Sequence, residues 1–253
     1  MMEKRGVSFE VEGIKILGEL YVPSNREISP ALCICHGIPA APPDPKDRGY
    51  PLLAERFCAE GFVTLIFNFR GTGLSGGNLD LLGWAKDLEA VINYLYLCPE
   101  VDKSRLSLLG FSGGAAISVY VAAYNPKVSS VALCSCPTQF DFLANREKVE
   151  PLLEHFRHIG VIRDRDFPPS ISQWLEGFRQ VSPIQWIDKI SPRPLLIVHG
   201  EEDEVVKVSH AWSLYNKAKE PKELAIIEGG EHRLRLNEKA MNIVIGWLRE
   251  KII

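Results

Sequence analysis

The spacing of hydrophobic and polar positions changes repeatedly along the chain, and each change marks an element. Residues 7–12 and 14–22 alternate apolar and polar, the period of half-buried strands; Glu12-Gly13 forms the turn of an antiparallel pair and Pro23 stops the second strand. Ala31–Cys35 is a short apolar run that predicts a buried strand ending in His36-Gly37-Ile38-Pro39. Ala40–Asp47 is too proline-rich for helix. Tyr50–Glu60 reads as a helix closed by Gly61, and Phe62–Phe69 as a strand buried on both faces, running into the glycine-rich loop Arg70–Gly77. Helical spacing returns from Leu82 to Leu97. A strand at Leu106–Phe111, a helix from Gly113 closed by Pro126, and a strand at Val128–Cys136 follow. After an irregular stretch, Pro194–Val198 and Glu223–Glu228 predict strands, while Lys207–Lys219 and Leu236–Lys251 predict helices.

Strand and helix therefore alternate through most of the chain. This is the pattern of an α/β protein with a mostly parallel central sheet, right-handed crossovers and helices on both faces. Residues 137–190 break the rhythm, with Phe140, Phe142, Phe156, Phe167, Trp174, Phe178 and Trp186 set among charges. A segment so aromatic folds rather than staying solvated, so it is expected to be helical. The expected organisation is a core of 1–136 and 182–253, with 137–181 as a helical cap insertion.

At 253 residues the chain can bury a full core as one domain with an insertion. A net charge of -3 argues against a nucleic-acid partner, which usually requires a basic surplus. The start, Met1-Met2-Glu3-Lys4-Arg5, carries charge where a signal peptide needs an apolar core, and no apolar run reaches membrane-spanning length; the expectation is a cytoplasmic protein without membrane contact. Cys33, Cys35, Cys58, Cys98, Cys134 and Cys136 lack the spacing of a zinc knuckle and read as reduced packing residues.

Chemistry concentrates at Gly110-Phe111-Ser112-Gly113-Gly114. An apolar strand ending in Gly-x-Ser-x-Gly ahead of a small-residue helix predicts a turn so tight that a Cβ two residues either side of the serine would strike a neighbouring element. The helix N-terminus then faces the serine with free N–H groups. Ligands of parallel sheets bind beyond the carboxyl ends of the strands. Two later strands end there in His199-Gly200-Glu201-Glu202-Asp203-Glu204 and in Gly229-Gly230-Glu231-His232. The order Ser112, Asp203, His232 is that of a nucleophile elbow followed by its acid and its base.

With His36-Gly37, Arg70-Gly71-x-Gly73-x-Ser75, the Gly110–Gly114 elbow, His199-Gly200-x-x-Asp203-x-x-Val206 and Gly230-x-His232 in this order, the chain resembles the α/β-hydrolase fold superfamily. It is similar in particular to small serine esterases of the cinnamoyl (feruloyl) esterase and dienelactone hydrolase-like group. The resemblance covers nearly everything outside 137–181 and implies hydrolysis of a small or medium acyl ester, with no cofactor and no metal. Ser112 is the expected nucleophile, His232 its base, and Asp203 the carboxylate that sets the imidazole tautomer. The oxyanion of the tetrahedral intermediate needs backbone donors, each typically worth about 3 kcal/mol of barrier. Gly113 N–H is one; Pro39 has no N–H, so Ile38 is the candidate for the other. The expected partner is a small-molecule ester, and the expected assembly a monomer or homodimer.

Other readings stay open on the same motifs. The elbow equally serves an acyl-peptidase, a dipeptidyl-type peptidase domain or a thioesterase. A non-catalytic relative would usually lack one triad member, and all three are present here. His36 and His199 are expected to be structural and Arg70 to brace its neighbouring loops; His155 and His158 are expected on a surface or cap, and His210 on a helix face. Spacing from His199-Gly200 favours Asp203 over Glu201, Glu202 and Glu204.

Overall fold

A computed structural model of the protein describes residues 2–24, 28–41, 48–140, 147 and 149–252. Among them are strands β1 (Met2–Val11), β2 (Ile14–Pro23), β3 (Ser29–Cys35), β4 (Val63–Phe67), β5 (Val101–Phe111), β6 (Ser130–Cys134), β7 (Leu195–Gly200) and β8 (Lys222–Ile227). The helices are α1 (Gly49–Ala59), α2 (Leu81–Leu97), α3 (Gly113–Ala122), α4 (Val149–His158), α5 (Ile171–Gln180), α6 (Ser209–Lys217) and α7 (Glu238–Ile252). The strands form one sheet in the order β1-β2-β4-β3-β5-β6-β7-β8. β2 is antiparallel to both β1 and β4, and every pair from β4 to β8 is parallel.

The first hairpin follows from two backbone angles. Glu12 (φ 54°) and Gly13 (φ 75°) both lie in the left-handed region, which gives a two-residue turn whose twist matches that of the strands it joins. β1 starts at Met2, well before the alternation suggests, because β2 pairs with it along its whole length, from Val11↔Ile14 to Met2↔Pro23. Its outer end has no apolar face and is held by the ladder and by an ion pair from Lys4 to Glu19 (2.9 Å). β5 likewise begins at Val101, through polar residues that periodicity alone cannot assign. β6 stops at Cys134, short of Cys136, because Ser135 turns to φ 50° and leaves the extended conformation.

Side chains on the central strands divide between two cores. Ala31, Cys33 and Cys35 join a cluster with Trp84 of α2, Ile117 of α3 and Leu214 of α6, whereas Leu32 and Ile34 face Phe57 of α1 and Trp247 of α7. All six cysteines are buried and unbridged. Asp80 caps α2 by accepting from Leu82 and Gly83 N–H at 3.2 and 3.1 Å, which satisfies two donors a helix start leaves open.

Among the described residues after β6, α4 and α5 fall in the stretch whose aromatics predict helix. α4 and α5 carry Phe156, Trp174 and Phe178 into the same cluster as α2 and α3. Trp174 Nε1 donates to Leu79 O at 2.8 Å, and Leu79 N donates to Val161 O at 2.8 Å. These helices thus share the main core rather than building a separate one. Residues 42–47 of the proline-rich loop, and Phe142, lie outside the described residues. No helix among the described residues is long and apolar enough to cross a membrane.

Candidate active site

Ser112 stands between β5 and α3 with φ 50° and ψ -119°. Such a conformation costs about 1–3 kcal/mol for a residue with a side chain and persists only when its surroundings enforce it. The flanking glycines show how. A Cβ on Gly110 would lie 2.5 Å from Ala115 Cα, and one on Gly114 would lie 2.2 Å from His36 O. The elbow is therefore pressed against the first turn of α3 on one side and the end of β3 on the other. Ser112 N–H still donates to Cys134 O at 2.9 Å, so the chain leaving β5 stays tied to β6 up to the serine itself.

Asp203 and His232 leave the ends of β7 and β8. His232 Nε2 lies 3.1 Å from Ser112 Oγ, and His232 Nδ1 lies 2.8 Å from Asp203 Oδ2 and 3.0 Å from Oδ1. Three residues separated by up to 120 positions in the chain are thus in one hydrogen-bonded line. Glu201, Glu202 and Glu204 are exposed, while Asp203 is buried. Its Oδ1 also accepts from Val205 and Val206 N–H at 3.0 and 2.8 Å. Burial pushes the Asp203 carboxyl up, but hydrogen bonds from His199, His232 and Val206 N–H, with the charge of the imidazole, outweigh it and hold the group far below the usual carboxylate range.

The His36–Ile38 segment lies directly against the elbow. A Cβ on Gly37 would sit 3.0 Å from Ser112 Cβ, and one on Gly113 would sit 3.3 Å from Ile38 N. The Ile38 and Gly113 backbones therefore flank the serine, and among the described residues neither N–H has a protein acceptor. His36 sets the loop. Its Nε2 accepts Phe69 N–H at 3.2 Å, which fixes the proton on Nδ1, and Nδ1 donates to Gly37 O at 2.7 Å. Burial lowers its pKa to about 4, so the ring is neutral at physiological pH.

His199 is also buried and structural: its Nε2 donates to Val206 O at 2.7 Å and lies 3.4 Å from Asp203 Oδ2. His155 and His158 are exposed on α4, and His210 accepts Thr138 N–H at 3.0 Å. Arg70 braces, as expected. Its Nε and Nη2 reach Asp87 at 3.1 and 2.8 Å, Nη1 reaches Glu12 at 3.0 Å, and its carbonyl accepts Trp84 Nε1–H at 2.9 Å.

Two contacts escape the reading of the sequence. Asp87, fully buried, is the partner of Arg70; a carboxylate on the Trp84–Leu88–Val91 face of an amphipathic helix was the available signal. The other is Ser135, whose Oγ donates to the His232 carbonyl at 3.1 Å. Nothing local announces it.

The sheet order, the elbow between β5 and α3, and a serine, an imidazole and a carboxylate meeting beyond the strand ends define an α/β-hydrolase fold protein. The chain belongs to the prolyl oligopeptidase family, whose model matches residues 52–252. Membership makes it a hydrolase of this fold. It is 30% identical to YfhR of Escherichia coli over 68% of its own length, and that match spans 53% of the relative. To the polyketide transferase GrgF of Penicillium sp. it is 25% identical, over 88% of this chain and 86% of that one. The GrgF crystal structure superposes with a TM-score of 0.78 at 20% identity, covering 99% of both chains. The esterase Pf2001 of Pyrococcus furiosus shares the fold with a TM-score of 0.73 at 21% identity, covering 100% of this chain and 94% of the other.

Proposed function

We propose that the protein is a serine carboxylic-ester hydrolase that cleaves a small or medium acyl ester through an acyl-enzyme on Ser112. The observation that carries this reading is the unbroken line from Ser112 Oγ through His232 to the buried Asp203, at 3.1 and 2.8 Å. His232 Nε2 takes the hydroxyl proton as Oγ attacks the carbonyl carbon. The oxyanion then forms between the N–H groups of Ile38 and Gly113. Collapse breaks the bond to the alcohol, which leaves with the proton from His232. A water activated by the same nitrogen attacks the acyl-enzyme and frees the acid. Asp203, held ionised, keeps the Nδ1–H tautomer and stabilises the imidazolium. None of these steps draws on a metal or an organic cofactor.

Family membership supports a second reading, an acyl-peptidase, since the same machinery cleaves amides. The two separate on one plate: 4-nitrophenyl esters of graded chain length, a feruloyl ester and a thioester, against acyl-peptide nitroanilides. The ester reading expects ester turnover to exceed anilide turnover. Ser112→Ala is expected to cost on the order of a million-fold in kcat while the protein stays folded. Undiminished ester hydrolysis by that variant overturns the assignment, and faster anilide cleavage transfers it to the peptidase.

A further inference from the structure

Among the described residues three that are not glycine have a left-handed φ: Glu12, Ser112 and Ser135. Glu12 closes a hairpin and Ser112 is the proposed nucleophile. Ser135, at φ 50°, sits at the end of β6 and is 1% exposed. Glycine would hold that angle more easily, because it has no Cβ to strain. The chain instead carries a serine there, and its hydroxyl is used.

The contacts of this one residue and its neighbour tie together the segments that bring each member of the triad. Cys134 O, immediately before it, accepts Ser112 N–H at 2.9 Å. Ser135 N–H donates to Val198 O at 3.0 Å, on the strand that leads to Asp203. Its Oγ donates to the carbonyl of His232 at 3.1 Å. That carbonyl otherwise accepts only Leu234 N–H, at 2.9 Å, a contact within its own loop, among the described residues. The His232 imidazole must span 3.1 Å to Ser112 and 2.8 Å to Asp203 at once, so a small shift of its backbone breaks one of the two.

We propose that Ser135 is a positioning residue for the base: a strained backbone at the end of β6 aims a hydroxyl that clamps the His232 carbonyl and so sets the distance from imidazole to nucleophile. The proposal rests on the serine-hydrolase reading of the site. It touches no substrate and acts only through His232.

The test uses the full chain, 4-nitrophenyl acetate and a fluorophosphonate probe, with Ser135→Ala and Ser135→Gly beside the wild type. Alanine removes the hydroxyl and keeps the strain; glycine removes both. The clamp predicts that kcat and the labelling rate of Ser112 fall together by about 10- to 100-fold in both variants. KM is expected to stay within about twofold, since no binding contact is lost. Ser135→Gly is expected to unfold at a temperature no lower than wild type, because relief of strain offsets the lost hydrogen bond. A merely structural serine would show the opposite: activity falling only as far as the thermal midpoint falls. Wild-type kcat in Ser135→Gly overturns the clamp alone, provided the wild type itself labels at Ser112. A wild type inert to probe and ester overturns the hydrolase reading, and the clamp with it.

Discussion

Replacing Asp203 by asparagine tests the site most sharply, because the structure dictates which way the new amide must face. Oδ1 of Asp203 accepts from two backbone donors, Val205 N–H at 3.0 Å and Val206 N–H at 2.8 Å. Only an oxygen can sit there, so the asparagine carbonyl takes that place. Its NH₂ then replaces Oδ2, 2.8 Å from His232 Nδ1. The shorter of the two contacts to Nδ1 thus becomes a donor facing a donor, and only the 3.0 Å contact to Oδ1, already shared with two backbone N–H groups, could still take an Nδ1 proton. The tautomer with Nδ1 bare and the proton on Nε2 is therefore favoured. Nε2–H then points at Ser112 Oγ, 3.1 Å away, as a donor and cannot take the hydroxyl proton. The fold keeps the Val205 and Val206 contacts, so the loss should fall on the chemistry. An asparagine that imposes the wrong tautomer costs about ten-thousand-fold in kcat, equivalent to about 5 kcal/mol of barrier. Steady-state ester hydrolysis and the rate of fluorophosphonate labelling at pH 7 both report it, with circular dichroism as the check on folding. Exposed Glu201, Glu202 and Glu204, each changed to glutamine, serve as controls and should leave kcat unaltered. If folded Asp203→Asn keeps a tenth or more of wild-type kcat, the tautomer argument fails and another group orients the base.

Two further outcomes test the framework around the site. Arg70 and Asp87 are 4% and 0% exposed, so Arg70→Met strands a buried carboxylate and should destabilise the fold by about 3–5 kcal/mol in urea denaturation, while Arg70→Met with Asp87→Leu recovers much of it. A loss below about 1 kcal/mol in the single variant would place the pair among solvent-screened contacts instead. His36 supplies a pH dependence. Burial lowers its pKa from 6.5 to about 4, so between those values the unfolded chain binds more protons than the folded one. Its contribution is complete above pH 6.5 and is lost as the pH falls through 4, about 3 kcal/mol in all. Unfolding free energies from pH 7 to 4.5 should fall less steeply in His36→Gln than in wild type; parallel curves would mean that the ring does not titrate as its burial requires.

What was legible in the chain beforehand was short-range. Periods of two and of 3.6 residues report which faces are buried, and they located the alternating elements of the sheet and its helices. Gly110 and Gly114 report a steric requirement within two residues of Ser112, and Glu12-Gly13 a turn within its own strands. That Ser112, Asp203 and His232 meet was readable because each sits just beyond a strand, and parallel strands deliver their ends to one edge. The ends of β1 and β5 were not readable, because ladder hydrogen bonds to a partner strand hold polar residues extended whatever their period.

Only the folded chain decided the rest. Spacing from His199-Gly200 already favoured Asp203 among the four acidic residues after Gly200; the fold adds that it is buried beside His232 while the three glutamates are exposed. The partner of Arg70, the tautomer of His36 and the hydroxyl of Ser135 on the His232 carbonyl depend on groups 17, 33 and 97 positions away. Local propensity carries no record of such separations. They are set by strand register and by how helices pack across the sheet, the long-range part of the physics that a pattern of hydrophobic and polar residues constrains without specifying.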